Sequence, residues 1–432
     1  MSAPLRLGLL GYGTVGRAFV RLLQAESPRL ALQAGARLRL VAVASRALPR
    51  KLPQAELPSG TRVGEDLLAV ATAPDVDVVV ELLGGVEPAG SAVAAALDAG
   101  RSVVTANKLL LATRGADLAT RAREKGVTLA FEAAVAGGIP ILRAVREGFT
   151  GDGIDVVSGI LNGTSNFVLS EMARTARPYG EILAEAQALG YAEAEPSADV
   201  EGADAACKLT LLARMAFGQE VPLDSVRAEG IARLRPVDFD YARMLGRTPR
   251  QLGIARRLPD GRLLLSVRTH LVSNDSILAR VDGPFNAVQV STVHGGDFVF
   301  TGRGAGGDPT ATAVLADVVQ IARSGHRAGV PPFGWDERSP FAPAGPADLV
   351  APFYLRFVVA DRPGILADLT TALARHDVNV DAVLQIPCRD KDALPFVVTL
   401  EPVDEARLGR ALSDLASFPF HREAPLVLPM TP

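Results

Sequence analysis

The sequence predicts an α/β protein: a doubly wound parallel sheet first, then an α+β domain, then a small α+β tail. Three observations carry this. Over the first 131 residues, short apolar runs alternate with alanine-rich helical stretches. Beyond residue 131 the order of elements becomes mixed. Residues 330–352 concentrate Pro and Gly, including Pro331, Pro332 and Pro343, and so mark a linker.

Taken in order, apolar strand patterns lie at 5–10, 38–44, 76–82, 102–105 and 127–131, with helical patterns at 15–24, 91–99 and 116–125. Nearly continuous apolar strands separated by helices are the pattern of a parallel sheet buried on both faces. Helical segments follow at 166–173, 179–189 and 203–217, and strand-like stretches at 262–271 and 298–301. The turn Gly302-Arg303-Gly304-Ala305-Gly306-Gly307 precedes a helix at about 310–324. The expected domains are therefore 1–131, binding a dinucleotide, with helix 310–325 returning to it; 132–309, catalytic and dimerising; the linker 330–352; and the tail 353–432.

Composition narrows the classes. The chain has 432 residues, 48% hydrophobic and 22% charged, which is ample for a globular core of several domains. A net charge of -3 with no basic block predicts no nucleic-acid footprint. The run 5–10 is too short for a membrane span and no cleavage pattern follows it, so no membrane partner is expected. Two cysteines, Cys207 and Cys388, make a disulfide framework unexpected and fit a reducing cytoplasm.

The loop Gly11-Tyr12-Gly13-Thr14-Val15-Gly16 sits between a strand and an apolar helix, the Rossmann-type setting for a pyrophosphate. Gly11 turns the chain, Gly13 admits the ligand, and Gly16 lets helix pack on strand. The helix start then turns its N–H groups to the anion. After the second strand stand Ser45 and Arg46, with Arg50 and Lys51 nearby, where an NAD enzyme carries an acid. A guanidinium there favours the 2′-phosphate of NADP and leaves NAD open; a solvated basic loop would look the same. Gly84 and Thr105 end the next two strands and belong to the same cofactor edge.

Three further stretches can carry chemistry. Lys108, in Thr105-Ala106-Asn107-Lys108, follows the carboxyl end of a strand, where ligands of doubly wound sheets bind. The acid-rich run from Gly190 to Lys208 places Asp204 and Lys208 one helical turn apart among small apolar residues. A surface ion pair has the same spacing; burial instead would lower the lysine pKa and suit proton transfer. In Glu132-Ala133-Ala134-Val135-Ala136-Gly137-Gly138-Ile139-Pro140, an extended path would align the carbonyls of Val135, Gly137 and Ile139 with the Glu132 carboxylate around a hard cation. A turn between domains would also account for it.

Together and in this order, these motifs resemble the homoserine dehydrogenase family over about residues 5–325. The stretch Gly159-Ile160-Leu161-Asn162-Gly163-Thr164-Ser165-Asn166 and Gly304-Ala305-Gly306 add to the match. The resemblance implies NAD(P)-linked interconversion of L-aspartate 4-semialdehyde and L-homoserine. It implies Lys208 as proton donor, Lys108 as a contact of cofactor and substrate, and Asp204 as support. Glu193 would hold the substrate ammonium, with Asp199, Tyr191, Asn162, Gly163 and Thr164 around the substrate. Gly304 and Gly306 would close over the cofactor. A structural sodium ion would sit at Glu132, Val135, Gly137 and Ile139, and a homodimer or higher homo-oligomer would form. An acylating semialdehyde dehydrogenase would need an activated cysteine, and Cys207 reads as a small core residue instead. A non-catalytic sensor would not need Lys108, Glu193, Asp204 and Lys208 together.

The tail runs strand 353–359, turn, helix to about His376, then a strand opened by Asn379. It resembles an ACT regulatory domain, the ACT-like fold that binds amino acids at the loop Asp361-Arg362-Pro363-Gly364-Ile365. L-threonine is the effector this resemblance implies; a plain dimerisation module is the alternative.

Overall fold

The computed structural model describes residues 3–45, 56–324 and 340–431. Arg46, Arg50, Lys51 and residues 330–339 of the predicted linker lie outside them. The chain divides into two compact units, Met1–Val157 with Cys207–Val226 and Val288–Phe341, and Ser158–Ala206 with Arg227–Ala287 and Ala342–Pro432.

The first unit holds a six-stranded sheet. Its strands are β1 (Leu5–Leu10), β2 (Leu38–Ala44), β3 (Arg62–Gly64), β4 (Val78–Glu81), β5 (Ser102–Thr105) and β6 (Leu129–Ala130). The order is β3-β2-β1-β4-β5-β6, every pair parallel. That order places a crevice beyond the carboxyl ends of β1 and β4, where the strand order reverses. The strands are apolar on both sides because helices cover both faces. Helix Gly307–Ser324 buries Ala311, Val314, Val318 and Ile321 in one core with Phe19 and Leu23 of helix Thr14–Ala25.

Some predicted bounds move for local reasons. The helix expected at 116–125 starts at Lys108, because Asn107 Oδ1 caps it by accepting Leu110 N–H at 3.1 Å. The strand expected at 127–131 shrinks to two residues, since 132–134 turn into a 3-10 helix.

The second unit contributes to a mixed sheet. Its strands are β7 (Ile154–Ile160), β8 (Arg227–Ala228), β9 (Arg247–Arg257), β10 (Leu263–Ser273), β11 (Phe285–Thr292), β12 (Gly296–Arg303), β13 (Val350–Val359), β14 (Val380–Leu384), β15 (Leu394–Asp404) and β16 (Leu426–Thr431). The order is β12-β11-β7-β9-β10-β16-β13-β15-β14, with β8 paired to β10. The division between the units falls within β7 and β11. The strands β7, β9 and β11 were not legible as strands; β9 carries four arginines that hide its alternation.

The tail begins at Val350, inside the predicted linker, and continues beyond the strand–helix–strand expected there. Helix Ile365–Arg375, β14, β15, helix Glu405–Leu415 and β16 complete a β-α-β-β-α-β ferredoxin-like unit. Both helices share one core with Phe353, Phe357, Phe396 and Leu400. The tail is fastened within its unit by Asp238 of helix Pro236–Met244. Tyr354 hydroxyl donates to Asp238 Oδ1 at 2.8 Å, and Arg356 Nη1 pairs with Oδ2, all three buried. Among the described residues, no helix is long and apolar enough to cross a membrane.

Candidate active site

In the first unit, the phosphate loop leaves β1 and enters helix Thr14–Ala25. A Cβ on Gly16 would lie 2.5 Å from the Gly11 carbonyl oxygen, so only glycine permits this helix–strand approach. A Cβ on Gly13 would meet nothing within 4 Å, so the loop faces open space there. No side chain caps the helix, and its first N–H groups are left for an anion. A cavity of about 870 Å³ adjoins the loop, lined by Tyr12 and Thr14 on one side and Arg303, Ala305 and Gly306 on the other. Arg17 lies over the Tyr12 ring and also lines it. Arg17 and Arg303 are cations that the sequence reading missed; Arg17 directly follows the glycine motif.

Glu81 was missed as well. It ends β4, fully buried, and accepts N–H from Leu83 at 2.7 Å and from Gly84 at 3.4 Å. Thr105 hydroxyl also donates to it. Burial pushes its carboxyl up from the usual range against these bonds. Glu81 therefore ties together the ends of β4 and β5, at the predicted residues Gly84 and Thr105. Thr105 Oγ1 in turn accepts Asn107 N–H at 3.0 Å, and Asn107 Nδ2 donates to the Gly85 carbonyl at 2.6 Å. Lys108 follows as the first residue of its helix. Ser45 is buried, its N–H donating to the Gly64 carbonyl at 3.0 Å.

Helix Ala203–Phe217 carries Asp204 and Lys208, only 9% and 8% exposed, one turn apart. The expected burial of this lysine is what the structure has. Cys207 is buried in mid-helix. Further along, Arg214 donates to the carbonyls of Leu111 and Ala112 at 2.9 and 3.0 Å. The helix bearing Lys208 is thus locked to the helix bearing Lys108.

The Glu132 turn is not the extended path expected. Ala136 and Gly137 have φ of 52° and 55°, so the chain coils and the carbonyls of 135–139 do not simply alternate. Ile141 N–H donates to the Ile139 carbonyl. Glu132 accepts the N–H groups of Leu142 and Arg143 at 2.8 and 2.9 Å, and its own N–H donates to Asp317 at 2.9 Å. Burial, then Asp317, pushes Glu132 up to about 7, and burial pushes Asp317 up to about 6. Arg143 pairs with Asp317 at 3.2 Å, and the charge of Arg146 also acts on Asp317. Glu132 and Asp317 offer hard oxygen donors of the kind that fit a monovalent cation. A Cβ on Gly137 would lie 2.5 Å from the Gly304 carbonyl oxygen, so this turn abuts the predicted cofactor turn.

In the second unit, Asn162 leaves β7 and caps helix Gly163–Thr175, its Oδ1 accepting Ser165 N–H at 2.8 Å. Its Nδ2 donates to Asp199 at 2.7 Å and to Asp204 at 2.8 Å. One amide thus holds two of the predicted carboxylates together. Thr164 hydroxyl donates to the Tyr191 carbonyl at 2.6 Å, and the Tyr191 ring lies 4.9 Å from that of Phe167. Asn162, Thr164, Tyr191, Asp199 and Asp204 therefore converge. Glu193 stands exposed, with only its backbone carbonyl engaged, by Gln187.

The tail loop is also built. Gly364 has φ of 92° and opens helix Ile365–Arg375 without a side-chain cap. Arg362 bonds Asp368 at 2.8 Å and lies over Phe420, while Lys391 pairs with Asp361 at 3.2 Å. The carbonyl of Asn379 accepts Glu401 N–H, so this residue serves the β14–β15 pairing.

Family profiles match along the chain. The one described as homoserine dehydrogenase covers residues 140–319, its NAD-binding domain covers 11–132, and an ACT domain covers 353–420. The chain is 40% identical to a homoserine dehydrogenase of Pseudomonas aeruginosa over 95% of each chain. It is 38% identical to one of Bacillus subtilis over 95% of this chain and 94% of the other. A homoserine dehydrogenase structure from Thiobacillus denitrificans superposes with a TM-score of 0.91 at 37% identity, covering 99% of this chain and 98% of that one. One from S. aureus superposes at 0.79 and 28% identity over both whole chains. The nicotinamide-binding sheet, the catalytic domain and the amino-acid-binding tail thus belong to one family: this chain is a member of the homoserine dehydrogenases.

Proposed function

We propose that the chain reduces L-aspartate 4-semialdehyde to L-homoserine, reversibly, with NADPH as the preferred reductant. The observation that supports this most is the Asn162 amide, which holds Asp199 beside Asp204, the latter one turn ahead of buried Lys208. When bound, the reduced nicotinamide supplies the hydride. Lys208 gives its proton to the oxygen that becomes the carbinol hydroxyl, and its charge stabilises that oxygen as electrons arrive. Asp204, one turn away, orients that ammonium. Glu193 and Asp199 meet the substrate ammonium. The start of helix Gly163–Thr175 offers N–H groups to the substrate carboxylate, with Tyr191 and Thr164 shaping the loop beside it. Asn162 acts as a positioning residue. Lys108 holds cofactor and substrate beyond β5.

The cofactor phosphates would rest on Tyr12–Val15, against Gly304 and Gly306, and Arg46 with Ser45 would meet the 2′-phosphate. Sodium would sit at Glu132 with the carbonyls of Val135, Gly137 and Ile139, and would offset the buried carboxylates there. L-Threonine is the proposed effector at Asp361–Ile365 and Asn379, and a homodimer the proposed assembly. The division into a cofactor domain 1–131, a catalytic domain 132–309 and a regulatory tail from 353 belongs to the same reading.

The test is NADPH consumption with purified chain and L-aspartate 4-semialdehyde, against succinate semialdehyde, which lacks the amine. Turnover of the first and not the second is expected. No consumption with the amino aldehyde would refute the reading.

A further inference from the structure

The second unit holds a cavity of about 790 Å³ that none of the roles above uses. It lies along helix Glu405–Leu415 of the tail and segment 229–234, apart from the Asp361–Gly364 loop, which opens the other helix. Its walls are aliphatic, with Leu234, Leu408, Leu426 and Leu428 all buried and Leu412 beside them. That size and lining suit a small amphiphilic ligand with water.

The rim carries both signs of charge. Arg268 is 3% exposed; its Nη1 pairs with Glu405 at 2.6 Å, while Nε and Nη2 are buried with no hydrogen-bond partner among the described residues. Arg227 bridges Glu405 at 3.1 Å and Glu229 at 2.8 Å. Arg233 spends Nη2 on the carbonyls of Ala424 and Pro425. The unpartnered nitrogens of Arg268, beside Arg227 and Arg233, offer donors for a carboxylate. Glu229 Oε1 is buried and faces Arg227 at 2.8 Å and Arg268 at 3.8 Å, which leaves its other oxygen for an ammonium.

The same segment reaches the substrate run through backbone. Ile231 N–H donates to the Val200 carbonyl at 3.0 Å, and a Cβ on Gly230 would lie 2.9 Å from that oxygen. Val200 follows Asp199, whose carbonyl accepts Ser165 hydroxyl and whose carboxylate holds Asn162. Segment 229–234 is thus joined by backbone to the residue that follows Asp199.

We propose that this cavity is a second effector site, taking an aliphatic α-amino acid. Its carboxylate goes to the arginine rim, its ammonium to Glu229 and its side chain to the leucine wall. Occupancy alters substrate affinity through Gly230, Ile231 and Val200, and this coupling rests on the substrate role proposed for Asp199.

The experiment is calorimetric titration of the full chain with L-leucine, 4-methylpentanoate and 3-methylbutylamine. Leucine binding is expected, with each analogue weaker by about tenfold or more. Gly409 lines the cavity and a Cβ there meets nothing within 4 Å, so a side chain starts in open space and Gly409→Phe is the variant chosen to fill it. That variant is expected to fold, keep its leucine-free KM and lose leucine binding. Glu229→Gln is expected to weaken leucine relative to 4-methylpentanoate, which has no ammonium to lose a partner. Absence of leucine binding to the native chain would overturn the proposal, as would equal binding to Gly409→Phe or loss on Asp361→Ala alone. Binding is read without turnover, so its failure is distinct from failure of the dehydrogenase reading. If leucine binds but leaves the semialdehyde KM unmoved, the coupling is refuted.

Discussion

Arg214 donates through Nη1 to the backbone carbonyl of Leu111 at 2.9 Å, and so joins the two helices that begin with Lys108 and carry Lys208. The guanidinium is 3% exposed and also bonds the carbonyls of Ala112 and Val221. Lysine cannot span these acceptors. Arg214→Lys is expected to cost about 2–3 kcal/mol in urea unfolding, since buried acceptors lose partners. It should lower kcat about tenfold with little change in NADPH affinity. A stability loss with unchanged kcat would mean the link does not position the lysines.

Glu81 yields a pH prediction. Burial raises its folded pKa above the unfolded value. From the ordinary carboxylate range up to that raised value, the folded chain holds a proton the unfolded chain has released. Its contribution to stability is therefore fully present at low pH and declines as pH rises. The Tm of the native chain minus that of Glu81→Gln should be larger at about pH 5 than at about pH 8. A difference that grows with pH would contradict a buried, proton-holding Glu81.

The buried group Asp238, Tyr354 and Arg356 should hold the tail in place. Asp238→Ala strands Arg356 without its closest carboxylate and is expected to cost about 3–5 kcal/mol. Urea unfolding of variant and native chains measures it, and a loss below about 1 kcal/mol would show the group to be dispensable.

Arg46→Asp should move the ratio of kcat/KM for NADPH over NADH towards NADH, because a carboxylate repels the 2′-phosphate and accepts the ribose hydroxyl. An unchanged ratio would assign the preference elsewhere, with Arg17 and Arg303 the next residues to change.

What the sequence disclosed follows from physics. The parallel sheet was legible because strands buried on both faces read as unbroken apolar runs, and the glycine loop because its spacing is a steric requirement. Helix 203–217 matched residue for residue. The strands β7, β9 and β11 were hidden because polar or charged residues interrupt their apolar runs, and β9 buries Arg250, which reads as surface in a single chain. Among site residues, the acid run, Lys108 and Lys208 stood out by type and spacing. Glu81 did not, since a lone acid ending an apolar strand gives no signal until Thr105 lies beside it. Asn162 was noticed as a substrate contact, and only the fold revealed the two carboxylates on its amide.

The central claim is that Lys208 gives the proton that completes aldehyde reduction. The direct measurement is Lys208→Ala, assayed for turnover of L-aspartate 4-semialdehyde and, separately, for NADPH affinity by fluorescence titration. Loss of kcat by about a thousandfold with NADPH affinity held within about twofold is the predicted result. Turnover near the native rate, with cofactor still bound, would remove Lys208 from the mechanism.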